Sequence, residues 1–62
     1  MDRREDSRDL LGRLGNVRDA MEEALGHVRG LEDDYRRGLL EAHIRGALRE
    51  INEQMAEITS SR

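Results

Sequence analysis

The apolar residues in the two halves of this chain repeat with the same spacing but in different phases. Each half alternates steps of four and three between successive apolar positions, a pattern typical of amphipathic helices in bundles and coiled coils. The first stripe is Leu10, Leu14, Val17, Met21, Ala24, Val28, Leu31 and Tyr35; the second is Leu40, Ile44, Ala47, Ile51, Met55 and Ile58, with Leu48 alongside.

One straight helix cannot bring these two stripes to the same side. Continued past Tyr35, the first register selects the mostly polar set Gly38, Ala42, Arg45, Arg49 and Asn52. The second stripe is displaced by about two residues, which is roughly 200° around a helix with 3.6 residues per turn. The pattern therefore predicts that the chain reverses direction between the stripes.

The reversal is predicted at about residues 30–33. Gly30 suits the position after a helix end, where a left-handed backbone conformation costs glycine little. Asp33 or Asp34 can cap the next helix, since a carboxylate accepts hydrogen bonds from its first amides. Gly38 is the alternative turn position, although no capping residue stands beside it. We predict one domain over residues 1–62, with helices at about 5–29 and 33–58 and frayed ends at 1–4 and 59–62.

Two helices alone cannot enclose two apolar stripes, because each helix has only one neighbour. A chain of 62 residues without cysteine has no disulfide to compensate for a small core. The predicted fold is therefore all-α, a two-helix antiparallel hairpin that pairs as a four-helix-bundle homodimer. The expected interface residues, with Leu11 and Leu25 widening the first stripe, are Leu10, Leu11, Leu14, Val17, Met21, Leu25, Val28, Leu40, Ile44, Leu48, Ile51, Met55 and Ile58.

Residues that could support catalysis or metal binding are few. The hydroxyl residues are Ser7, Tyr35 and a group at residues 59–61, none placed beside a base as nucleophilic catalysis requires. His27 and His43 differ in height along the hairpin by ~10 Å, so one chain does not bring them to a shared site. We therefore predict no enzyme activity, no cofactor and no catalytic or metal site.

The charge pattern argues against nucleic acid as the main partner. Net charge is −3, and acids and arginines are interspersed in both halves, whereas a phosphate-binding face needs gathered basic residues. The nearest such group is Arg3, Arg4 and Arg8, which acidic neighbours dilute. In size and topology, a helical-hairpin dimer of this length resembles the Rop family of plasmid RNA-binding regulators. That resemblance implies the alternative function, a nucleic-acid-binding regulator that uses these three arginines.

The amphipathic stripes are the strongest functional feature of the chain. They predict a small protein-interaction module, such as an assembly factor, adaptor, co-chaperone or regulator, that acts through its apolar helical faces. The partner is expected to be a second copy of the chain or a different protein. No apolar run exceeds two residues, so we expect no membrane span and no secretory signal, and hence a cytoplasmic protein.

Overall fold

The chain forms two long helices that lie side by side. The computed structural model describes the backbone of residues 3–60 and the side chains of residues 6–60. Helix α1 is Arg3–Arg29 and helix α2 is Asp34–Ser60, with 27 residues in each. A helix of that length measures ~40 Å, and the molecule extends 49 × 15 × 11 Å. The helices therefore pack along their length, and the predicted all-α helical hairpin is confirmed.

The connection between the helices spans residues 30–33, and Gly38 lies inside α2. The Gly30 amide donates to the carbonyl oxygen of His27 at 3.1 Å, and the Leu31 amide donates to that of Val28 at 3.0 Å. These hydrogen bonds, between residues three apart in the chain, tighten the last turn of α1. The predicted left-handed conformation of Gly30 is wrong, since no glycine in the described chain has a positive φ.

Asp33 caps the second helix. Its Oδ1 accepts a hydrogen bond from the Arg36 amide at 3.0 Å, and its carbonyl accepts the first helical bond from the Arg37 amide at 2.9 Å. The Arg37 guanidinium pairs with Asp34 and donates to the carbonyl oxygen of Leu31 at 2.9 Å. These bonds fix the chain where it enters α2.

Both helices extend further than predicted. The Thr59 hydroxyl donates to the Met55 carbonyl at 2.8 Å, and the Ser60 hydroxyl donates to the Ala56 carbonyl at 2.7 Å. Residues 59–60, where a frayed end was predicted, thus lie within α2, and their hydroxyls bond to the preceding turn. Residues 3–4 lie within α1. Residues 1–2 and 61–62 lie outside the described residues.

The helices meet along a seam of half-buried side chains. Its α2 half, which includes Glu41, matches the predicted second stripe from Ile44 onward. In α1 the seam is rotated slightly from the predicted stripe. Leu11 and Leu25 are half-buried against α2, whereas Leu10 and Val17 are exposed. The seam residues are Ser7, Leu11, Leu14, Arg18, Met21, Leu25 and Val28 in α1, and Arg37, Glu41, Ile44, Leu48, Ile51, Met55 and Ile58 in α2.

No side chain among residues 6–60 is fully buried. Five residues of the predicted first and second stripes are exposed instead: Leu10, Val17, Leu31, Tyr35 and Leu40. The cause is geometric, since a hairpin only 15 × 11 Å in cross-section has no interior beyond its seam. This is why Arg18 and Glu41 are accommodated at seam positions, where their charged ends still reach water.

Candidate functional site

Three of the six large apolar side chains that remain exposed among residues 6–60, Leu10, Val17 and Leu40, lie on one side of the hairpin. Taking the seam as positions a and d of a heptad, the adjacent g positions hold the polar Gln54 near the end of α2 and five apolar residues, which are Leu10, Val17 and Ala24 in α1 and Leu40 and Ala47 in α2. Because the helices are antiparallel, their g positions lie on the same side of the pair. These five residues are called the apolar side below.

The apolar side is open in the single chain. Leu10 is 46% exposed, Val17 43% and Leu40 44%, while Ala24 and Ala47 are half-buried. Beyond Arg37 near the turn, the neighbouring d positions of α2 hold isoleucines, none of them fully buried, so the apolar surface continues into the seam. Exposed leucines are common singly, but apolar residues aligned at one heptad position along both helices are typical of a contact surface.

The opposite side of the hairpin has a different composition. The e positions of the same heptad lie there, and they carry glycine, charged, amide or hydroxyl residues. These residues, called the polar side below, are Arg8, Gly15, Glu22 and Arg29 in α1 and Gly38, Arg45, Asn52 and Thr59 in α2. All are exposed except Gly15, which is half-buried. The polar side therefore offers no apolar surface for a partner.

An ion-pair group lies at the turn end of the polar side. The Arg29 Nε is 3.3 Å from the Glu41 Oε1, which joins the two helices, and the Arg45 guanidinium is 3.1 Å from the same oxygen. The Glu41 side chain is 24% exposed, so its two arginines compensate a carboxylate that is partly withdrawn from water. This group helps hold the helices together without adding apolar contact.

The thirteen predicted interface residues fall into two sets. Three are exposed on the apolar side: Leu10, Val17 and Leu40. Ten are half-buried in the seam: Leu11, Leu14, Met21, Leu25, Val28, Ile44, Leu48, Ile51, Met55 and Ile58. Most of the predicted residues thus contribute first to contact between the two helices of one chain. Ala24 and Ala47, which belong to the predicted stripes but not to the predicted interface, complete the apolar side.

The arginines are not gathered into one basic surface. The side chains of Arg3 and Arg4 lie outside the described residues, and Arg8 is exposed on the polar side. Further along the chain, Arg13 pairs with Asp9 at 3.0 Å and Arg36 pairs with Asp33 at 3.4 Å. Within the described chain, positive charge is therefore matched locally by carboxylates.

The two histidines are exposed and stand on different helices. Among residues 6–60, no group of three or more histidine, cysteine or acidic side chains is arranged to hold a metal ion. A shallow depression on the outer surface of α2 is lined by Glu50, Glu53 and Glu57 and is open to solvent. Over the described helices, no segment is both long and apolar enough to cross a bilayer.

Comparisons of this chain with protein-family models, with curated proteins and with solved structures find no match. The function is therefore inferred from the geometry of the hairpin itself.

Proposed function

We propose that this protein is a small, non-catalytic interaction module that self-associates through its apolar side. Two hairpins would stack there and form a four-helix bundle, so that the dimer is the working unit for assembly, adaptor or regulatory roles. The observation that carries the proposal is that the single hairpin fully buries none of the side chains at residues 6–60, while Leu10, Val17 and Leu40 are 43–46% exposed along one side.

The energetic reason is that a marginal hairpin gains most by covering this side. Burying apolar surface contributes roughly 25 cal/mol per Å², and about 1.5–3 kcal/mol for a leucine taken fully out of water. The helices themselves contain glycines that cost ~1 kcal/mol each relative to alanine. Packing against a second chain supplies stabilisation that helix propensity lacks.

The alternative, nucleic-acid binding, has less support in the described residues. Arg13, Arg36 and Arg37 are each paired with a carboxylate of their own helix or its cap, and binding to phosphates would have to compete with those pairs. A nucleic-acid binder would lose affinity steeply with added salt. An apolar dimer contact should instead persist at high salt, which separates the two functions in one titration.

The proposal is tested by measuring mass against concentration for a pair of adjacent substitutions. Leu39 and Leu40 are 46% and 44% exposed, but only Leu40 belongs to the apolar side. We expect Leu40→Glu to raise the dimer Kd at least ~100-fold, since it places a charge in an apolar contact. Leu39→Glu is the matched control and should leave the Kd within about twofold.

Sedimentation equilibrium from low micromolar to several hundred micromolar protein gives the required masses. A helical monomer that persists at the highest concentration would overturn the proposal. Equal effects of the Leu39 and Leu40 substitutions would show that association does not use the apolar side.

A further inference from the structure

A row of mostly ionisable residues borders the apolar side on each helix. These residues occupy the c positions of the heptad, next to the g positions and facing away from the seam. In α1 they are Asp6, Arg13, Ala20 and His27, and in α2 they are Arg36, His43, Glu50 and Glu57. All eight are exposed in the single chain. Together they form what is called the rim below.

The rim is polarised along the length of the hairpin. Its basic residues near the turn are Arg36 and the two histidines, while Asp6 and Glu57 lie at the far end, with Glu50 between. The exception is Arg13, which lies toward the acidic end. Both rim arginines also have a carboxylate partner within the chain, Arg13 with Asp9 at 3.0 Å and Arg36 with Asp33 at 3.4 Å. A surface with basic groups at one end and acidic groups at the other binds a charged partner more favourably in one direction than in the other.

A second copy can cover the apolar side in two ways that preserve twofold symmetry. If both turns lie at the same end, α1 of one copy stacks on α2 of the other. His27 then faces Arg36 and Asp6 faces Glu57, so that like groups meet at both ends of the rim, and only Arg13 faces an opposite charge, Glu50. Like charges placed opposite each other at an interface are unfavourable.

If the turns lie at opposite ends, each helix stacks on its own counterpart in reverse. Arg36 and Glu57 lie at equal distances on either side of residues 46–47, and so do His43 and Glu50. Reversal therefore brings Arg36 opposite Glu57 of the second copy, and His43 opposite Glu50 of the second copy. By symmetry each pairing occurs twice.

The first helix independently selects the same axis. Asp6 and His27 are equidistant from the junction of residues 16–17, which lies at the same level of the hairpin as residues 46–47. Val17 thus meets its counterpart at the axis and Leu10 falls opposite the smaller Ala24, while in α2 Leu40 falls opposite Gln54 of the second copy. One twofold axis therefore brings Asp6 opposite His27 in α1 and aligns the acidic and basic rim residues of α2.

We propose that the occupant of the apolar side is a second copy of this chain in the reversed orientation, aligned by the carboxylates and basic groups of the rim. This inference rests on the proposed self-association and adds its direction. The reversed bundle carries its two turns, each with the exposed Tyr35, at opposite ends. It therefore presents two identical and widely separated surfaces to any further partner.

Distances between spin labels test the orientation, because the chain has no cysteine of its own. The Glu32→Cys variant places a label in the turn, and the Asn16→Cys variant places one midway along α1. In the reversed dimer the two turn labels should be about 45 Å apart, from 1.5 Å of rise per residue. With both turns at the same end, they would lie within about 25 Å of each other.

The Asn16 labels report dimer formation in either orientation, at less than about 35 Å. Absence of dipolar coupling between them would overturn the proposed self-association itself. A short distance for both label sites would leave the dimer in place and overturn the reversed orientation. A short Asn16 distance with a long Glu32 distance supports the inference.

A charge exchange across the rim gives a second test. We expect Arg36→Glu and Glu57→Arg each to raise the dimer Kd about tenfold, because each variant creates two like-charge contacts. The double variant should return the Kd to within about threefold of the original. Arg36→Glu also removes the ion pair with Asp33 inside one chain, so Glu57→Arg, which places an arginine in the last turn of α2 where the helix dipole favours it, is the cleaner single variant. Weaker dimerisation of Glu57→Arg could not then be ascribed to a weaker helix, and a double variant as weak as the singles would overturn the pairing.

Discussion

The two sides of this hairpin are built from the same pair of helices and differ only in the residues beside the seam. On one side the g positions carry Leu10, Val17 and Leu40, each 43–46% exposed. On the other, the e positions carry glycine, charged, amide or hydroxyl residues, and Glu41 joins Arg29 and Arg45 there. Backbone geometry treats the sides alike, so side-chain chemistry alone distinguishes the surface proposed to bind a partner from the other.

This contrast separates folding from assembly. The seam residues bring the two helices together, and in the proposed dimer the residues next to the seam would set how many hairpins associate. A hairpin with two polar sides would be left with its half-buried seam as its only apolar contact. A hairpin with two apolar sides could continue to stack beyond a dimer. The asymmetry of this chain favours an assembly that closes at two copies.

The largest expected effect comes from making the polar side apolar. Glu22 and Asn52 occupy e positions near opposite ends of the hairpin, as Leu10 and Leu40 do on the apolar side. We expect the double variant Glu22→Leu with Asn52→Leu to form species larger than a dimer at tens of micromolar protein. The physical reason is that both sides would then expose leucines in line with the seam.

Light scattering coupled to size exclusion measures that change. The control is Glu23→Leu with Glu53→Leu, which adds two leucines on the outer surfaces of the helices, away from both sides. This control should remain dimeric. If both double variants assemble equally, general surface hydrophobicity and not the geometry of the sides would govern association.

The contrast between the sides could be predicted from the sequence only in part. Periodicity predicts two helices, and the shift in phase between the stripes predicts the reversal of the chain. The sequence narrows the cap to Asp33 or Asp34, because a carboxylate before a helix satisfies its free amides, and the structure identifies Asp33. These features depend on local spacing, which is printed directly in the chain.

The rotation of the α1 seam was less accessible. Leu10 and Leu11 are adjacent, so either can lead a stripe with steps of four and three, and the choice depends on how α2 approaches. Alternation favoured Leu10 and Val17, whereas the fold places Leu11 and Leu25 in the seam along with Arg18. A charged residue at a seam position is not recognisable from hydrophobic periodicity. The matched charges of the rim became visible only after the seam had been located.

A smaller effect is expected from exchanging glycine and alanine between the sides. A Cβ added at Gly15, on the polar side, meets nothing within 4 Å, so Gly15→Ala should raise the free energy of unfolding by about 0.5–1 kcal/mol. Gly15→Ala should change the dimer Kd only through the greater stability of each hairpin, because Gly15 lies outside the proposed dimer contact. Ala47→Gly should lose a similar helix contribution and also weaken the dimer, because Ala47 lies on the proposed axis.

Urea denaturation at several fixed protein concentrations separates these two contributions, since only the dimer term depends on concentration. A destabilising Gly15→Ala would indicate that the polar side packs against something that the hairpin alone does not contain. An Ala47→Gly variant with an unchanged Kd would place the axis elsewhere.

The smallest expected effect is on the ion pair that joins the helices at the polar side. Arg29→Ala should lower the free energy of unfolding by no more than about 0.5 kcal/mol, because the Arg29 side chain is 56% exposed and surface pairs are screened by water and salt. Glu41 would also keep Arg45 at 3.1 Å. Chemical denaturation at low salt and at about 0.5 M salt should show that the difference in unfolding free energy between Arg29→Ala and the original protein shrinks as salt rises. Arg13→Ala, which removes a pair within α1 alone, is the control. If Arg29→Ala lowered the free energy of unfolding by more than about 1.5 kcal/mol, and that loss persisted at high salt, the polar side would hold the helices together as strongly as the apolar seam does.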